Sequence, residues 1–107
     1  MKQVAEEILE KLDDFYAIRV PDITEVVYKN GEVYKGFFEH FDDIDKLLEV
    51  AKCRFVPMNN SLAFSKETND TGKLNPKYSI IIDLTQIRKV RLINRITKEL
   101  VEEISFA

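Results

Sequence analysis

The sequence predicts a mainly β domain: a small five-stranded antiparallel barrel over residues 23–93, with a helix before it and a short extension after it. Three observations carry this. Short runs rich in Val, Ile, Tyr and Phe recur between turn-forming residues. Asn30-Gly31 separates the first two runs, and both residue types tolerate the positive φ of a two-residue type I′ hairpin. Gly36 then falls inside the second run, where a strand glycine marks a bulge, a bend or a close backbone approach. A long strand bent at a glycine is one way a small sheet closes on itself. A chain of 107 residues has room for one such domain with one modest core.

Residues 3–16 predict a helix, because Val4, Ile8, Leu12 and Phe15 form one apolar stripe. Glu6, Glu7 and Glu10 lie on its other face, near the end where the helix dipole favours acids. Pro21 forces an extended approach to the first strand. That strand holds Ile23, Val26, Val27 and Tyr28, and the second holds Val33, Tyr34, Phe37, Phe38 and Phe41. Residues 46–58 predict the third strand. Residues 59–76 are rich in Asn, Ser, Thr, Gly and Pro and predict a long exposed excursion. Residues 77–83 predict the fourth strand, "LTQ" a tight or 3₁₀ turn, and residues 87–93 the fifth. The tail, 94–107, fits a helix capped by Asn94 with Ile96, Leu100 and Ile104 on one stripe, and it also fits a hairpin turning at Lys98-Glu99. The helix is the expected form.

Composition bounds the function. Hydrophobic residues make up 45% of the chain and charged residues 33%, which suits a folded domain and not a disordered one. No apolar run reaches the length of a membrane helix, and the start lacks the apolar stretch of a signal peptide, so a cytoplasmic location is expected. The Asn-x-Ser/Thr triplets at Asn59 and Asn69 are then irrelevant to glycosylation. The single cysteine, Cys53, lies in an apolar run and reads as a small core residue. No phosphate-binding glycine loop, catalytic-serine elbow, zinc-protease motif or paired-cysteine motif occurs. Asp42, Asp43, Asp45 and Glu49 lack calcium-loop spacing and read as turn acids. The expectation is therefore a non-enzyme without cofactor or metal.

Charge is unevenly spread. Residues 1–50 hold 13 acids and 6 bases, net −7, and residues 51–107 hold 6 acids and 10 bases, net +4. The basic run Arg88, Lys89, Arg91, Arg95 and Lys98 suits either edge-strand protection or phosphate contacts. Adjacent Phe37 and Phe38 must point to opposite faces of a strand, so an exposed phenylalanine beside a strand edge is expected as a protein contact.

The stretch from 28 to 50 resembles the first motif of the Sm and Sm-like RNA-binding family. Asn30-Gly31, Gly36, Phe41-Asp42 and Leu47-Leu48 fall in its register. The resemblance implies an SH3-like barrel in which Phe41 fills the interior and Asp42 accepts backbone N–H groups in the next turn. It also implies subunits that pair their fourth and fifth strands into rings, and RNA bases held by the turn after Phe-Asp. Here the family's base-binding Asn aligns with Lys46 and its base-stacking position with Ile44. Its Arg-Gly pair aligns with Asp83-Leu84, which puts an anion where phosphate or base approaches. The sequence therefore predicts a scaffold or interaction domain that associates with itself, or with another protein, through strand edges. RNA binding with an altered pocket is the alternative, disfavoured by Asp83 and Lys46. His40, Asp42, Ile44, Lys46, Arg88 and Arg91 are the candidate contact residues for RNA or partner.

Overall fold

A computed structural model describes residues 22–106, together with Glu10. Apart from Glu10, which is helical, the helix expected over residues 3–16 lies outside the described residues. Strands β1 (Asp22–Tyr28) and β2 (Val33–Phe38) lead into a short helix α1 (Ile44–Glu49) and strand β3 (Lys52–Pro57). Helix α2 (Ser61–Thr71) follows, then β4 (Ile80–Asp83), β5 (Ile87–Asn94) and β6 (Leu100–Ser105). The strands form one antiparallel six-stranded sheet in the order β4-β3-β2-β1-β5-β6.

That order makes the sheet curl. β4 and β5 stand four strand spacings apart, roughly 19 Å in a flat sheet. The chain between them is a single 3₁₀ turn, Leu84–Gln86, and the four residue steps from Asp83 to Ile87 span at most about 14 Å. A hydrogen bond crosses the same gap: Asp83 N donates to the Tyr28 hydroxyl on β1 at 2.8 Å.

Each face of the sheet carries its own core. On the concave face Val26, Phe38, Cys53, Phe55, Ile82, Val90 and Leu92 alternate inward and meet Leu48 and Ala51 from the segment around α1. Phe38 and Phe55 meet edge to face at 5.1 Å. On the opposite face of β2 and β3, Val56, Phe41 and Phe64 form a second cluster with Phe37, Leu74 and Tyr78 around it. Phe64 is the buried residue of α2, and this contact holds the helix against the sheet.

Two backbone positions explain how the elements meet. Gly36 pairs with Thr24 on one side and Pro57 on the other. A Cβ there would lie 1.9 Å from the Val56 carbonyl oxygen, so the glycine serves a close approach of backbones and not a left-handed turn. Ala51, fully buried, does take positive φ, 56°, where the chain leaves α1 and turns into β3.

Several expectations are corrected. The open sheet has six strands where five were expected. The third strand is shorter than 46–58, because Ile44, Leu47 and Leu48 share one helical face and turn the chain through α1 first. The excursion at 59–76 holds α2, ended by Gly72 at φ 72°, whose N–H donates to the Thr68 carbonyl oxygen. The tail forms β6 and not a helix: Asn94 Oδ1 accepts from Ile96 N and Thr97 N, and Lys98 turns the hairpin at φ 66°. At Asn30-Gly31 only Gly31 takes positive φ. Tyr28 N donates to Glu32 O and Gly31 N to Tyr28 O, a three-residue loop and not a type I′ turn. β2 ends at Phe38, so Phe41 lies beyond the strand, in the outer cluster and not in the interior of the curl.

Candidate functional site

The candidate residues fall into two separate groups. His40, Asp42, Ile44 and Lys46 follow β2 and enter α1. His40, Asp42 and Lys46 are exposed, but Ile44 is half-buried against the concave core. Asp83, the acid at the family's Arg-Gly position, turns inward: its Oδ1 accepts from Thr85 N at 3.0 Å and Thr85 Oγ1 at 2.7 Å, capping the turn before β5.

The acid that organises the first group is Asp43, not Asp42. Arg54 on β3 binds both its carboxylate oxygens, with Nη2 to Oδ2 at 2.8 Å and Nε to Oδ1 at 3.0 Å. The same guanidinium donates to Ser79 Oγ at 3.0 Å and lies 5.9 Å from the centre of the Phe41 ring. It thus ties α1 to β3 and to the approach to β4. The Arg54 hydrogen bonds hold the Asp43 carboxyl below the usual carboxylate value. No sequence spacing signals this link, because its partners lie 11 and 25 residues apart.

The second group lies on β5. Arg88 is the extra residue of a β-bulge opposite Val27 and Tyr28, and it is exposed. Arg91 lies on the convex face inside a cross-strand ladder of charges. Its Nη1 donates to Glu25 Oε1 at 3.2 Å, and its Nε lies 3.5 Å from Glu103 Oε1 without a hydrogen bond. Lys89 pairs with the same Glu103 at 3.7 Å, and Lys35 approaches Glu25 at 4.0 Å. Arg91 is therefore engaged within the fold, and sequence reasoning missed its partner Glu25, which is nearly buried.

Two strand edges remain among the described residues. β6 covers β5, so β5 is not an edge. Phe106 N donates to Arg88 O, and antiparallel alternation then turns the N–H and C=O groups of Ser105 and Glu103 outward from β6. On β4 the same alternation, anchored by Leu84 N to Ala51 O, turns the backbone N–H and C=O groups of Ile81 and Asp83 outward, and the Tyr28 hydroxyl takes the Asp83 N–H. α2 does not run along β4; it reaches its approach through Tyr78, whose ring faces Phe64 and whose hydroxyl donates to Glu67 at 3.2 Å. Ile81, Leu100 and Val101 are each about half exposed beside these edges. Among the described residues no phenylalanine is exposed, which corrects the expected aromatic contact; the exposed apolar residues are aliphatic, with Leu62 and Ile96 the most exposed.

Among the described residues no group of His, Cys, Asp and Glu has the placement to hold a metal ion, and no helix is long and apolar enough to cross a membrane. Cys53 is buried. In comparisons with known proteins, no family model, no curated protein and no solved structure matches this chain.

Proposed function

We propose that this chain is a non-catalytic interaction domain with an Sm-like small barrel that associates with itself through strand edges. The strand order β4-β3-β2-β1-β5, the single 3₁₀ turn joining β4 to β5 and the close approach at Gly36 support the barrel reading. The observation that carries the function is the edge of β6, which no other strand covers among the described residues. Its outward backbone groups at Glu103 and Ser105 lie beside half-exposed Leu100 and Val101, a template for another strand. Because β6 covers β5, the pairing that the family resemblance implies for the fifth strand would fall on the sixth in this chain.

Two variants test the edge. Glu103→Ala removes the ion pairs with Lys89 and Arg91 and keeps the outward N–H. Glu103→Pro removes both, without breaking a ladder bond to β5. Sedimentation analysis should show Glu103→Ala associating like the parent chain and Glu103→Pro shifted to the monomer. Equal association of both variants would count against β6 as the contact.

RNA binding is the second reading, favoured by Arg88, Arg95 and Lys98, which are exposed and have no carboxylate partner among the described residues. Filter binding of short U-rich and A-rich RNA at two salt concentrations separates the readings. Tight binding that weakens steeply with salt supports RNA; weak binding at both concentrations supports the protein-contact reading.

A further inference from the structure

We infer that the convex face of the sheet holds a binding site for a phosphate-class oxyanion that carries a proton, placed where β1, β2 and the β5–β6 turn meet. A cleft of about 60 Å³ lies there, lined among the described residues by Ile23, Glu25, Lys35, Ile93, Arg95 and Lys98. Cross-strand pairing builds it. Ile23 stands opposite Ile93 and Glu25 opposite Lys35, while Arg95 and Lys98 come from the turn that follows β5.

Three features select the ligand. Three cations, Lys35, Arg95 and Lys98, reach the cleft from two directions, and with Glu25 its lining carries a net charge of +2. Arg95 and Lys98 have no carboxylate partner among the described residues, so both are available to an anion. The cleft has room for one tetrahedral oxyanion and opens to solvent, so an ester would leave its organic part outside. An arginine fork and two ammonium groups suit the spread oxygens of such an ion.

Glu25 supplies the discrimination. Its carboxylate is held by Arg91 at 3.2 Å and approached by Lys35 at 4.0 Å, so it stays in place at the cleft. A carboxylate can only accept hydrogen bonds. It therefore favours an oxyanion bearing an O–H, such as hydrogen phosphate or a singly protonated phosphate ester, and repels one without a proton, such as sulfate. This site is separate from the turn that the family resemblance implicates, and it does not depend on self-association.

The test is a titration of the full chain with sodium phosphate and with sodium sulfate at pH 6.5 and matched ionic strength, read by amide chemical shifts. Saturable shifts at Ile23, Lys35, Ile93 and Lys98 are expected, with phosphate at least about fivefold tighter than sulfate. Arg95→Ser combined with Lys98→Ser changes two exposed side chains; it should weaken phosphate by about tenfold and leave the spectrum elsewhere unchanged. Glu25→Gln should bring phosphate and sulfate to similar affinity; if this variant does not fold, the double variant still decides. A parallel arm with glycerol phosphate separates the sources: binding as tight as inorganic phosphate assigns the site to esters, and much weaker binding assigns it to the free ion. Shifts that grow linearly without saturation, equal shifts with sodium chloride, or undiminished affinity in the double variant would overturn the site.

Discussion

At the scale of single residues, Gly36 and Asp43 set the sharpest tests. The Cβ of Gly36→Ala would sit 1.9 Å from a backbone oxygen, which no side-chain rotation relieves. The variant should lose at least about 2 kcal/mol despite the entropy that alanine removes from the unfolded chain. A urea midpoint at or above that of the parent would contradict the close approach. Asp43 is tested by pH. Its folded pKa is held low by Arg54, so its contribution is present above the unfolded value, near 3.9, and is lost as pH falls through the folded value. Asp43→Asn should melt lower at pH 7 and lose less than the parent chain between pH 5 and 2; parallel melting curves would remove Asp43 from the account. Hydrogen bonding to Glu32 likewise pushes the Tyr34 hydroxyl up to about 12, favouring its neutral form. Gly36 was legible in the sequence as a special backbone position, but its neighbour Val56, 20 residues on, was not. Asp42 looked as good a turn acid as Asp43, and only the fold decides which of them faces Arg54.

At the scale of elements, legibility followed length and pattern. β1, β2, β4 and β5 carry β-branched and aromatic residues at strand spacing and lie close to where the sequence put them. α1 is six residues long, too short for its periodicity to outweigh the strand-like Leu and Val beside it. α2, "SLAFSKETNDT", has a polar composition and no apolar stripe; a single aromatic, Phe64, seats it on the sheet. Tertiary contact outweighs propensity there. Phe64→Ala should therefore cost about 3 kcal/mol and loosen α2 before the rest of the chain. Hydrogen exchange checks this: amides of Ser61–Thr71 should lose protection while those of β5 keep it, and uniform loss would mean that α2 is not a separable unit. β6 was ambiguous because Leu100 and Ile104 fit a helical stripe and also a strand pairing with β5. Asn94, which suits a helix N-cap, makes the same kind of side-chain bonds to Ile96 N and Thr97 N in a hairpin turn.

At the scale of the whole molecule, a six-stranded sheet is curled by one short connection and, among the described residues, leaves two edges, β4 and β6. The edges differ. The Tyr28 hydroxyl blocks one end of the short β4, while β6 is longer and carries the acidic pair Glu102-Glu103. The excess of acids in the first half of the chain and of bases in the second suits contact between unlike surfaces of neighbouring copies. The charge asymmetry and the hydrophobic runs were legible in the sequence. Which edges stay bare was not, because that depends on where the tail and α2 dock. The central claim, association through those edges, is tested most directly by the mass of the full chain in light scattering at micromolar concentration. The account predicts a mass at a multiple of 12.5 kDa that falls with dilution; a mass at 12.5 kDa across the concentration range would contradict it.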